Sequence, residues 1–151
     1  WAPAPTWPTW ALLATIGAWV AVIDAITTWI PAALAWTGWA GWIGAVVVTA
    51  LSDQTAAIRA VIATAIIFAA WMIAWLISRG GFGFSDVRIT PLWAAPAAAT
   101  GIDTIQVTVI AGLTLIALYA LIDRFRHHTT RFLPWAPSLC SGALVGLAIA
   151  H

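Results

Sequence analysis

Two aspartates occupy places that solvation does not explain. Asp24 is embedded in Ala18-Trp19-Val20-Ala21-Val22-Ile23-Asp24-Ala25-Ile26, an apolar run with no cation beside it. An ionisable side chain in such a run is unfavourable in lipid unless it faces water or a partner, and so points to function. Asp86 closes the glycine-rich segment Ser78-Arg79-Gly80-Gly81-Phe82-Gly83-Phe84-Ser85-Asp86, just before another apolar stretch. Two carboxylates that share one proton supply a base to activate water and an acid to protonate a leaving group. Gly80, Gly81 and Gly83 would let backbone approach the other aspartate and a substrate, and give the loop its mobility. The other three acidic residues have simpler readings. Asp53, in the polar break Ser52-Asp53-Gln54-Thr55, and Asp103, after Thr100-Gly101-Ile102, read as helix caps. Asp123 lies beside Arg124 and Arg126 and reads as a solvated ion pair. His127 and His128 are adjacent, point apart on a helix and have no third ligand in reach, so they read as loop residues. Cys140, the single cysteine, excludes an internal disulfide and a cysteine-based zinc site and reads as a small buried apolar residue. No metal or organic cofactor is expected.

The elements that must position these aspartates are helices in a bilayer. Charged residues make up 7% of the 151 residues and apolar ones 63%, too little charge to cover a soluble core. All six basic residues are arginine, lysine and glutamate are absent, and no basic run could follow a nucleic-acid backbone. At about 20 residues per crossing the length allows six or seven spans and no separate soluble domain. Apolar stretches run over about 9–30, 33–51, 57–77, 87–99, 104–122 and 137–150. The expected fold is therefore an all-α polytopic membrane bundle of about six segments, the fourth and sixth short. Pro91 and Pro96 predict a broken or kinked fourth segment. Residues 1–10 hold three Trp and three Pro without the charged region of a signal peptide, and read as an irregular interfacial lead-in.

Arginine counting orients the bundle. Arg79, Arg88, Arg124, Arg126 and Arg131 fall in connections after segments one, three and five, against Arg59 alone on the other side. The odd-numbered connections are therefore expected in the cytoplasm of a multi-pass plasma-membrane protein with both termini outside. Asp24 and Asp86 then share the cytoplasmic face. Trp1, Trp7, Trp10, Trp29 and Trp135 read as interfacial anchors. Trp36, Trp39, Trp42, Trp71 and Trp75, at helical spacing, read as packing or lipid-facing stripes. Gly142-x-x-x-Gly146 reads as a close helix-packing face.

Three segments carry a resemblance to the type IV prepilin peptidase family. Asp24-Ala25-Ile26-Thr27-Thr28-Trp29-Ile30-Pro31 has its Asp-x6-Pro spacing. Gly83-Phe84-Ser85-Asp86-Val87-Arg88 is similar to its Gly-x-Gly-Asp-Val-Lys segment. Leu133-Pro134-Trp135-Ala136-Pro137-Ser138-Leu139 resembles its late Pro-x-x-Pro-x-Leu segment. The matches occur in the family's order across nearly the whole chain. The resemblance implies a membrane aspartic endopeptidase that removes leaders from pilin-like precursors at the cytoplasmic face, with Asp24 and Asp86 as catalytic pair and Arg88 in place of the lysine. It is to the short form lacking the zinc-binding cysteine domain, so N-methylation is not implied. Ser85 replaces the motif's second glycine, and Ala32 an asparagine often found after the proline. If the Ser85 backbone keeps φ > 0 it is strained; if it is ordinary, the hydroxyl would bond Asp86 or Asp24. A small proton- or cation-coupled transporter, or a non-catalytic subunit of a membrane machine, are the alternative classes. The precursor's identity and the oligomeric state are not set by the sequence.

Overall fold

The computed structural model describes residues 4–78, 83–127 and 134–149. Within them the chain is all helical. Helix α1 (Trp7–Thr27) follows a short 3-10 turn at Ala4–Thr6, α2 is Ala32–Ser52 and α3 is Gln54–Ser78. A five-residue helix, α4 (Phe84–Arg88), leads through Ile89 into α5 (Thr90–Thr100); α6 (Ile102–His127) and α7 (Trp135–Ile149) follow. Four helices, α1, α2, α3 and α6 over Ile102–Phe125, are long and apolar enough to cross a membrane, and α7 is a shorter apolar helix. Large apolar side chains along them, such as Ile62, Ile66 and Ile73 on α3 and Ile110 and Leu118 on α6, point outward. A surface this apolar suits lipid, not water.

The short fourth segment lies in the centre of the bundle. Residues 90–99 of α5 are all buried, and α5 touches α1, α2, α3, α6 and α7. Its run of alanines explains how, since small side chains let the surrounding backbones approach closely. Trp93 and Leu92 fill the remaining gaps in the core clusters. The expected break falls at Ile89, between α4 and α5. Pro91 sits in the first turn of α5, where a missing N–H is tolerated, and the helix continues through Pro96. At the end of α5 remote from Asp86, Arg59 Nη2 donates to the Ala99 carbonyl (2.9 Å) and Trp10 Nε1 donates to Thr100 Oγ1 (2.9 Å).

The pair α6–α7 packs backbone to backbone. A Cβ on Gly142 would lie 2.6 Å from the Thr108 carbonyl oxygen and 2.7 Å from the Gly112 nitrogen, and one on Gly146 2.7 Å from the Thr104 carbonyl. The Gly142-x-x-x-Gly146 face is thus an intramolecular contact.

Several boundaries differ from expectation. The lead-in is helical from Trp7, and a wide π-turn at Leu13–Gly17 interrupts α1. Helix α6 runs on to His127, past the expected end near Ile122, because Asp123, Arg124 and Phe125 include no helix breaker. Asp53 caps α3 as expected, its Oδ1 accepting the Ala56 N–H at 2.9 Å. Asp103 lies inside the first turn of α6, not at a cap position, and favours that helix through the dipole. Among the described side chains, Asp123 makes no ion pair. Trp10 is buried and hydrogen-bonded, not an interfacial anchor, and Trp135 packs edge-on against Trp71. Trp39 and Trp42 pack edge-to-face as a stripe should.

Candidate functional site

Asp24 lies one turn from the end of α1. The helix stops at Thr28, which takes a left-handed conformation (φ 52°, ψ 25°) and donates its N–H to the Asp24 carbonyl at 2.8 Å. The side chain points inward and is 2% exposed. Its Oδ2 accepts the backbone N–H of Ala136 at 3.0 Å, and the Trp135 N–H also donates to the carboxylate. The first amides of a helix have no partner within it. Proline carries no N–H, so Pro134-Trp135-Ala136-Pro137 has amide hydrogens only at Trp135 and Ala136. Asp24 accepts both, and α1 is thereby fastened to the start of α7. Removing the acceptor of a buried donor costs roughly 1–3 kcal/mol.

Asp86 sits in α4 and is 6% exposed. This short helix lies at the end of the bundle, outside the long spanning helices. Trp39 Nε1 donates to the Arg88 carbonyl (2.9 Å), Phe84 packs on Trp75, and the Arg88 guanidinium lies 5.3 Å above the Phe84 ring. The Asp86 N–H donates to the Gly83 carbonyl at 3.1 Å, and the carboxylate folds back over that glycine. A Cβ on Gly83 would be 2.7 Å from Asp86 Oδ2. Gly83 has an extended backbone (φ −73°, ψ 131°), so glycine serves there to leave room for the Asp86 carboxylate, not to supply an unusual φ.

The two carboxylates belong to separate elements yet lie near enough for the charge of Asp24 to act on Asp86. Burial pushes the Asp86 carboxyl up to about 7, and the neighbouring charge of Asp24 adds to that rise. Between α1, α6 and α7, a cavity of about 330 Å³ is lined by Ala25, the residue after Asp24, and by Tyr119, Pro134, Pro137, Ser138 and Ser141. Its lining combines apolar walls with three hydroxyls, and its volume is at the lower end of ligand sites. It adjoins an apolar groove of about 440 Å³ through the shared Pro137 and Ser141.

The sequence-derived candidates divide as follows. Asp24, Gly83, Ser85, Asp86 and Arg88 are described; Gly80 and Gly81 lie outside the described residues, as do Arg79, His128 and Arg131. Ser85 is an ordinary helical residue of α4, because among the described residues only Thr28 combines a side chain with positive φ. The strained reading of Ser85 is therefore excluded. Its hydroxyl also makes no hydrogen bond among the described residues, so the expected bond to Asp86 or Asp24 is not formed. Arg88 keeps a buried Nε without a hydrogen-bond partner among the described residues. No group of three metal-ligating side chains occurs among them. Sequence reasoning missed the anchoring of Asp24 by α7. The available signal was the pair of prolines that leaves only two amides in that turn. Compared with known protein families, curated proteins and solved structures, the chain matches none. What fold and site together define is a helical membrane bundle with two buried carboxylates toward one end, the charge of Asp24 acting on Asp86.

Proposed function

We propose that this protein is a membrane aspartic endopeptidase that removes the leader of pilin-like precursors at the cytoplasmic face of the plasma membrane. The observation that carries the reading is the proximity of two buried aspartates, the charge of Asp24 acting on Asp86, with a cavity next to Asp24 at Ala25. A proton or cation relay across the bilayer would expect carboxylates near mid-span. Here one lies a turn from the end of α1 and the other in the short helix ahead of α5. In the proposed reaction the ionised aspartate takes a proton from water as the water oxygen attacks the scissile carbonyl. The protonated aspartate gives its proton to the carbonyl oxygen; the aspartate that took the water proton then passes it to the departing amide nitrogen as the C–N bond breaks, and the other aspartate recovers a proton from the gem-diol as the carboxyl product forms. The substrate's apolar helix would lie in the groove along α1 and α7, and its peptide would reach the pair through the smaller cavity. Arg88, with spare donor capacity, would meet an acidic group of the substrate or offset charge at the pair.

Co-expression with candidate pilin-like precursors, scored by the mass loss of leader removal, tests this. Asp24→Asn and Asp86→Asn each abolish cleavage and the double variant is no worse, because either change breaks one unit. Asp53→Asn and Asp103→Asn keep most activity. Asparagine at residue 24 retains an acceptor for the α7 amides, so the variant tests the carboxyl and not the anchor. Full cleavage by a folded Asp24→Asn protein rejects the reading.

A further inference from the structure

We propose that the Pro134–Pro137 turn assigns the proton within the pair: its two amides hold Asp24 as the ionised partner, leaving the shared proton on Asp86. This rests on the catalytic reading above and specifies the role of each aspartate in it: Asp24 is the base and Asp86 the acid.

The argument is one of donors and acceptors. The Trp135 and Ala136 N–H groups can only donate, and both are directed at the Asp24 carboxylate, with Ala136 3.0 Å from Oδ2. Donors converging on a carboxylate favour its charged form and offset part of the cost of burying that charge, a compensation that reaches Asp24 alone of the two among the described residues. They also open the 15-residue helix α7, whose positive dipole end adds to the effect. Among the described residues Asp86 has no such partners. No hydrogen bond to its carboxylate is formed among the described residues, and it is buried over Gly83. Two nearby negative charges in a buried site oppose each other, so the group without donors among the described residues keeps the proton. That agrees with the rise of Asp86 to about 7. Among the described residues, few other groups face the pair. On α4 the cation is Arg88, whose guanidinium lies over Phe84; on α7 the nearby thiol is Cys140; α2 and α3 bring the indoles Trp39 and Trp75 to α4. Tyr119 of α6 lines the adjoining cavity. Pro134 and Pro137 act by subtraction: with no N–H of their own, they leave two donors for one carboxylate.

Infrared spectroscopy of the purified full chain in lipid, recorded across pH, reads the proton without any substrate. The carbonyl band of a protonated, buried carboxyl is expected below neutral pH in the unaltered protein. It disappears in Asp86→Asn and persists in Asp24→Asn, where its midpoint moves to lower pH because the Asp24 charge is gone. A band that disappears in Asp24→Asn and persists in Asp86→Asn, a band that neither change removes, or no such band in the unaltered protein overturns the assignment. Because this readout needs no cleavage, failure to process any precursor would count against the proposed function alone. A second variant, Ala136→Pro, deletes one donor at a helix position that accepts proline. In the folded variant the acid limb of the cleavage–pH profile moves to higher pH, whereas an unmoved limb overturns the role of the turn.

Discussion

Asp86 links folding to pH. Its carboxyl titrates near 7 in the folded chain because it is buried beside Asp24, against an ordinary value of about 4 when unfolded. Between those limits the folded chain holds a proton that the unfolded chain has released. Stability therefore falls as pH rises through that window and levels off above it. Asp86→Asn should be more stable than the unaltered protein above neutral pH, by on the order of a few kcal/mol, and little different near the lower limit. Thermal unfolding in detergent at a series of pH values measures this, and a pH-independent difference would contradict it. Gly83 offers a second test. Its backbone suits alanine, but the new Cβ would meet Asp86 Oδ2, the mobile end of a side chain, at 2.7 Å. Gly83→Ala should therefore fold while displacing the carboxylate. A displacement of that kind lowers the cleavage rate by roughly a hundredfold. Cleavage at the unaltered rate would show that the carboxylate has room to move without consequence.

Among the elements, α1 ends under strain. Thr28 is β-branched and left-handed at the position where glycine is usual. Thr28→Gly should gain about 1 kcal/mol, since the left-handed conformation disfavours a side chain by roughly 1–2 kcal/mol. A rise of a few degrees in the unfolding temperature would register it, and a fall would mean that the Thr28 hydroxyl, which donates to the Thr27 carbonyl, outweighs the strain. The end of α1 and the start of α7 are joined through Asp24, so the anchor of one element is also the carboxylate of the site. Helix α7 is held along its length by the glycine contacts with α6. The turn that meets Asp24 is thus carried on a well-fixed helix.

At the scale of the molecule, the two aspartates mark one end of the bundle, and Trp10, Arg59 and Thr100 mark the other. The arginine bias predicts that the aspartate end faces the cytoplasm. Arg79→Cys and Arg124→Cys should resist a membrane-impermeant thiol reagent in intact cells and react once the cells are opened. Cys140 is buried and adds little background. Labelling of intact cells at residue 124 would invert the orientation.

The sequence by itself determined the solvent and most of the elements. Eleven charged residues in 151 cannot clothe a soluble core, and helix stretches and caps such as Asp53 depend on residues three or four apart. It also singled out Asp24 and Asp86, because a carboxylate in an apolar run and another after a glycine loop are anomalous against their own neighbours. Only the tertiary structure decided what those residues touch. The alanines of α5 read like any membrane helix; their burial is a property of the five helices around them. Whether Ser85 is strained depended on where α4 begins, and the need for glycine at residue 83 on how Asp86 turns back. The anchoring of Asp24 joins residues 24 and 136, which no local pattern relates. It forms because the prolines leave two amides exposed and packing brings a buried carboxylate to them.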